Sequence, residues 1–156
     1  TGSFRVSVDF GGGPLVSAGG EDIFVAKLLA NGAHLWSKRF GGSNVYASDA
    51  GKAIAVDASG NVVLTGWFNG TVDFGGGALT CAGSWDIFVA KYSASGGHIW
   101  SQSFGSTNID EGYGIVVDDD GNVVVTGRFL TVVDFGGELL PSAGGSGDMF
   151  LVKFAP

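Results

Sequence analysis

The sequence predicts an all-β fold of repeated four-stranded units, and three observations carry that prediction. Glycine fills 29 of 156 positions, about 19% against a usual ~7%, so the chain turns often. Long segments return with a period of about 62 residues, which marks a repeat architecture. No segment holds an apolar stripe at 3.6-residue spacing long enough for a helix. With only three prolines and no Gly-X-Y period the chain is not collagen, and Val, Ile, Leu and Phe throughout argue against disorder.

The repeat is legible by eye. VDFGGGPLVSAGGEDIFVAK, from Val8 to Lys27, returns as VDFGGGALTCAGSWDIFVAK, from Val72 to Lys91, and again as VDFGGELLPSAGGSGDMFLVK, ending at Lys153. A second unit lies between these copies. AHLWSKRFGG from Ala33 matches GHIWSQSFGS from Gly97, and KAIAVDASGNVVLTG from Lys52 matches YGIVVDDDGNVVVTG from Tyr113. The first unit occurs three times and the second twice, so the chain reads as about two and a half copies of one unit.

Each element follows from local chemistry. Ala53 to Val56 is a short apolar strand that stops at Asp57-Ala58-Ser59-Gly60-Asn61, where Gly60 or Asn61 supplies the positive φ of a tight hairpin. Asn61 to Phe68 is β-branched and aromatic, as a strand interior is. A Gly-rich excursion through Asp73 to Gly77 precedes a third strand, Ile87 to Tyr92. There Phe88 and Ala90 take one face, and Ile87, Val89 and Lys91 the other. Ser95-Gly96-Gly97 turns the chain into a fourth strand, His98 to Phe104.

Four antiparallel strands with both faces apolar, in a unit too small to bury them alone, is the pattern of a β-propeller blade stacked between neighbours. The run VDxxGNVVxTG, VDFGGG, DIFVAK, HxWSxxFG resembles the SBBP-type β-propeller repeats of secreted and surface proteins of bacteria, notably myxobacteria, over essentially the whole chain. That resemblance implies an extracellular or cell-surface setting in a bacterium, and it says little about activity. The blade reading divides the chain into a partial blade 1–50, a full blade 51–104 and a partial blade 112–156. Thr1-Gly2 aligns with Thr65-Gly66, at the end of a second strand, and Lys153 ends a third strand. Propellers close with 4 to 8 blades, so the apolar faces of the two partial blades call for cover. The expected partners are further copies of this chain or the remaining blades of a longer one.

Charge narrows the partners. Eight Lys and Arg against fifteen Asp and Glu give a net charge of -7, which repels phosphate backbones, so nucleic acid is not expected. No apolar run approaches the ~18 residues of a spanning helix, and no membrane insertion is expected. Cys81 stands where the other copies carry Ser17 and Ser142, which points to packing rather than a reactive thiol.

The copies also sort the candidate residues. His34 and His98 recur with Trp36 and Trp100, and Asp22, Asp86 and Asp148 recur with Lys27, Lys91 and Lys153. Recurrence assigns these to the blade: a satisfied imidazole beside a strand Trp, turn caps and strand-end charges. Asp118, Asp119 and Asp120 form the densest acidic cluster, a calcium candidate, but its counterpart turn reads Asp57-Ala58-Ser59 and no EF-hand pattern is present, so no cofactor is expected. Trp67 and Trp85 do not recur, aligning with Ser3 and Arg128 and with Glu21 and Gly147. Both are placed at strand-to-loop junctions, and together with Tyr46 and Tyr113 they are the candidate ligand-binding residues. Asn69-Gly70-Thr71 fits a glycosylation sequon. G-x-S-x-G, H-E-x-x-H and phosphate-loop motifs are absent. The expected role is therefore a non-enzymatic scaffold or protein interaction module. The alternative is a carbohydrate-binding module using the loop aromatics.

Overall fold

The computed structural model describes residues 1–155, and these contain strands and turns but no helix. In chain order, β1 (Gly2–Phe4) is followed by a small hairpin of β2 (Ser7–Asp9) and β3 (Pro14–Val16), then by β4 (Asp22–Leu28) and β5 (His34–Phe40). The next copy supplies β6 (Ala50–Val56), β7 (Val62–Phe68), the hairpin of β8 (Thr71–Asp73) and β9 (Ala78–Thr80), β10 (Asp86–Tyr92) and β11 (His98–Phe104). The last supplies β12 (Asp110–Val117), β13 (Val123–Phe129), a reduced hairpin of β14 (Val132–Val133) and β15 (Leu140–Pro141), and β16 (Asp148–Phe154).

The long strands make three antiparallel sheets: β1-β4-β5, β6-β7-β10-β11 and β12-β13-β16. The middle sheet is a complete four-stranded blade. Among the described residues, the first sheet has no strand in the position of β6, and the third has none in the position of β11. The all-β class, the antiparallel blades and the count of about two and a half therefore match what the sequence predicts. β6 begins at Ala50 rather than Ala53, because a β-bulge between Gly51 and Ala53 absorbs Lys52. β12 carries the same bulge, with Tyr113 in the place of Lys52.

The Gly-rich excursion is not an irregular loop but a hairpin, too short for its alternation to be read. Its tip is set by Asp73, whose Oδ1 accepts the amides of Gly75 and Gly77 at 2.7 and 3.1 Å. Those glycines take φ of 110° and 111°, which only glycine adopts freely. Asp9 does the same for Gly11 and Gly13. In the third copy Glu138 replaces the last glycine, and the hairpin keeps two residue pairs instead of three.

These hairpins are wedges. Neighbouring sheets approach most closely along their first strands, β6 and β12, and their fourth strands stand apart. The hairpin aromatics fill the wider side of the gap. Phe74 stacks on Phe88 at 4.6 Å and meets Phe40 of the first sheet at 5.3 Å. Phe135 lies between Phe150 at 4.8 Å and Phe104 of the middle sheet at 5.1 Å. The alternation along each third strand splits it between two cores. Phe88, Ala90 and Tyr92 join the core shared with the first sheet, whereas Ile87 and Val89 join the one shared with the third.

The same alternation leaves the outer faces bare. Ile23, Val25, Ile87 and Val89 are completely buried, but their counterparts Met149 and Leu151 are 82% and 75% exposed. Leu28, the counterpart of buried Tyr92, is also open. Polar devices recur inside each sheet as well. The hydroxyls of Thr1, Thr65 and Thr126 donate to the carbonyls of Phe24, Phe88 and Phe150, each at 2.7 Å.

Candidate binding site at the junction of the second and third sheets

The non-recurring aromatics converge where the middle and third sheets meet. Trp67 does not lie at a strand-to-loop junction. It sits within β7, paired to Ala50 and Ile87, and is only 9% exposed. Trp85 immediately precedes β10 and is bridged in parallel to Ile109. The two indoles stack at 5.6 Å and 22°, and Tyr113 meets Trp67 edge-on at 6.3 Å. Tyr46 is elsewhere, in the loop before β6, 93% exposed and outside this cluster.

Three residues that the sequence did not single out complete the site. Lys52, displaced by its bulge, holds its ammonium 4.2 Å from the Trp67 ring centroid, a cation–π arrangement. Glu111 accepts from Arg128 at 2.6 Å and from the Tyr113 hydroxyl at 2.6 Å through one oxygen, Oε2. The Tyr113 hydroxyl is pushed up from its usual pKa by burial and by this carboxylate. Trp67 Nε1 and Arg128 Nε are buried with no hydrogen-bond partner. Such donors cost roughly 1–3 kcal/mol each when left unpaired. The signal available in the sequence was divergence between copies. Lys52 aligns with Tyr113, Ala50 with Glu111 and Trp67 with Arg128.

The recurring residues are engaged within the sheets. His34 and His98 each share a 3.0 Å hydrogen bond through Nε2 with Ser37 and Ser101. Each ring covers a glycine turn, at Gly12 and at Gly76, where a Cβ would collide with the imidazole. The Trp36 indole donates to the Ala94 carbonyl at 3.0 Å across the first junction. Asp22, Asp86 and Asp148 accept the amides of Ala18, Ala82 and Ala143, and Asp22 also pairs with Arg39 at 2.7 Å. Lys91 pairs with Asp57 and Lys153 with Asp118. Lys27, whose sheet has no first strand, reaches the Gly60 and Ala94 carbonyls of the next sheet.

Of the acidic trio, Asp118 spends its oxygens on Lys153, on the Asn122 side chain and on the amides of Asp120 and Asn122. The Lys153 ammonium, then Asn122, hold its carboxyl down at about 2. Among the described residues no three His, Cys, Asp or Glu side chains are grouped to hold a metal. Burial pushes the Cys81 thiol up to about 11, so it is not a thiolate at neutral pH. The Asn69 side-chain amide of the sequon is bonded to the Ser84 carbonyl. Two further buried acids, Asp49 and Asp110, cap the first strands. Asp49 accepts the Asn69 amide at 2.8 Å, and Asp110 accepts the amides of Ser106 and Leu130. Burial raises Asp49 to about 6.

No protein-family model matches the chain. It is similar to an uncharacterised WD repeat-containing protein of Acanthamoeba polyphaga mimivirus, 27% identical over 120 residues, which covers 65% of this chain and 8% of that protein's own length. Joined to the stacked antiparallel sheets, that likeness marks the chain as a β-propeller-type repeat.

Proposed function

We propose that the chain is a non-enzymatic propeller repeat module that serves as a scaffold and protein interaction surface. On this reading it is of the SBBP type and works outside the cell or on the surface of a bacterium. Its blades occupy 1–50, 51–104 and 112–156, a division that the three sheets support. Cover for the outer faces comes from other copies of the chain or from further blades of a longer one. Bare Met149 and Leu151, at positions otherwise completely buried, support this.

One observation carries the interaction role. The side chains that differ between copies gather at one end of one junction, around an orphaned indole N–H, while the recurring ones are consumed by the fold. The mechanism is geometric: the sheets hold Lys52, Trp85, Glu111, Tyr113 and Arg128 in a fixed array around the buried Trp67 ring. The likeness to a WD repeat-containing protein supports the same class. The second reading is a carbohydrate-binding module built on Trp67, Trp85, Tyr46 and Tyr113. Its weakness is that Trp67 is already covered by Trp85 and by Lys52, which leaves no open face on that ring for a sugar.

A glycan array separates the two. The interaction reading expects no saturable glycan binding, and glycan binding that is lost on Trp85→Ala would replace it with the second. Sedimentation tests the cover of the outer faces, since a folded monomer at tens of micromolar would remove self-assembly and leave further blades as the remaining source.

A further inference from the structure

The two loops that carry the chain from one sheet to the next differ by an insertion. Eight residues lie between Phe40 and Asp49, but five between the equivalent Phe104 and Asp110. The surplus is Val45-Tyr46-Ala47. On its near side Gly20 donates to the Asn44 carbonyl as Ser84 does to that of Asn108, and on its far side Ser48 bridges Glu21 as Ile109 bridges Trp85. The shorter loop closes its junction on the same plan, so the fold does not require these three residues.

The insertion is a fixed turn rather than slack chain. The Asn44 carbonyl and side-chain oxygen accept the amides of Ala47 and Tyr46, each at 3.0 Å, and the Ala47 carbonyl accepts the Glu21 amide at 3.0 Å. Ala47 is buried, whereas Val45 and Tyr46 stand 66% and 93% exposed. The turn belongs to a junction between two of the chain's own sheets, not to either outer face. An aromatic ring displayed on an ordered turn loses little conformational freedom when a partner covers it.

Charge identifies that partner. Beside the turn, the half-buried Glu21 carboxylate binds only the hydroxyls of Ser3 and Ser48. Asp22 is completely buried, with its Oδ1 lacking any hydrogen-bond partner. Burial first, then the charges of Asp22 and Glu21, push up the carboxyl of completely buried Asp49, so the three acids share one field. Among the described residues, Arg39 on Asp22 is the one ion pair that any of the three makes. The chain as a whole carries a net charge of -7, which draws in a cationic partner and repels an anionic one.

We propose that the Val45-Tyr46 turn and the Glu21 carboxylate form a docking site for a basic segment of another protein. An arginine or lysine of that segment stacks on the Tyr46 ring, its charge answers the carboxylates of the junction, and an aliphatic neighbour lies on Val45. This adds a contact region at the first junction, separate from the one around Trp67 at the second, where an indole stands in the place of Glu21.

The probe is a labelled synthetic peptide alternating arginine and leucine, titrated against the whole chain by fluorescence anisotropy, beside a peptide with glutamine in place of each arginine. Saturable binding is expected for the basic peptide. It should fall about tenfold for Tyr46→Ala and for Glu21→Gln, and persist in Tyr46→Phe, which keeps the ring face. Tyr46→Ala trims a side chain that meets almost nothing but solvent, so the melting temperature stays unchanged and the loss is read on a folded protein. Asp119→Asn controls for the overall field: it removes the same unit of charge from an exposed turn at the opposite end of the strands and should leave affinity nearly unchanged. The site is overturned by binding that survives Tyr46→Ala, by an equal loss with Asp119→Asn, by equal binding of the glutamine peptide, or by no saturable binding at all. None of these outcomes touches the reading built around Trp67, which lies at the other junction.

Discussion

The two junctions between sheets are built on one backbone plan and carry opposite chemistry. Between the first and middle sheets, Glu21 is bridged in parallel to Ser48, and its carboxylate binds the hydroxyls of Ser3 and Ser48 at 3.0 and 2.8 Å. Between the middle and third, the equivalent bridge joins Trp85 to Ile109, and the place of Ser3 is taken by Trp67. The main-chain bonds that hold the two bridges are nearly identical: Asp49 donates to the Glu21 carbonyl and Asp110 to the Trp85 carbonyl, each at 2.9 Å. Because the backbone closes each junction at this end, the side chains there are free to vary. At the other side of the gap they are not, since the wedge aromatics supply the packing.

That contrast can be broken most forcefully at the wedges. Phe74→Ala removes a fully buried ring that touches both sheets and is expected to cost about 3–5 kcal/mol in urea unfolding, within the range of Phe truncations. Phe135→Ala, at the half-open counterpart beside the third sheet, is expected to cost about half as much, in proportion to its smaller burial. Equal losses would show that the two wedges do the same job regardless of what covers them.

A smaller effect separates the junctions by pH. Asp49 is completely buried, and burial first, with the charges of Asp22 and Glu21 adding to it, raises its carboxyl from 3.8 to about 6. A raised acid favours the folded state while protonated, so its contribution is fully present below about pH 4 and is lost as pH rises through about 6. At 1.36 kcal/mol per pKa unit the swing is about 2–3 kcal/mol. Asp49→Asn should therefore gain stability relative to the parent by that amount between pH 4 and pH 7, read from urea midpoints at each pH. A difference that stays flat, or that runs the other way, would reject the assignment.

The smallest effect belongs to the variable end of the second junction. Lys52→Ala removes an exposed cation from the Trp67 face and is expected to cost about 0.5–1 kcal/mol, with a change in tryptophan emission. A loss several times larger would mean that this end carries packing after all.

How much of this was legible in the sequence follows from period and length. The long strands were readable because Phe88 and Ala90 alternate with Ile87 and Val89 over seven residues, and the copies repeat the pattern. The hairpins were not, because three residues such as Thr71 to Asp73 cannot display an alternation. Trp67 and Trp85 were found by their failure to recur, and Tyr113 joined them as a further aromatic. Lys52, Glu111 and Arg128 fail to recur too, but their meaning depends on the bulge that turns Lys52 toward Trp67 and on a carboxylate shared across two strands. Neither is visible before β6, β7, β12 and β13 are laid side by side. Burial misled the reading of Trp67, which follows a strand pattern to its end and so lies inside the sheet.

The bare positions at the two ends of the chain are unlike each other, since Met149 and Leu151 belong to the side that elsewhere packs forward, and Leu28 to the side that packs backward. A surface of that kind cannot satisfy itself by two-fold pairing. Were copies of the chain to cover these faces, as proposed, association would be directional: each addition would hide one face and present a fresh one, and growth would halt only when the rotation per step brought the last unit back to the first. Under the proposed self-assembly, the angle between neighbouring sheets would decide between a finite ring and an open filament, and a substitution that changes a wedge aromatic would act on that angle.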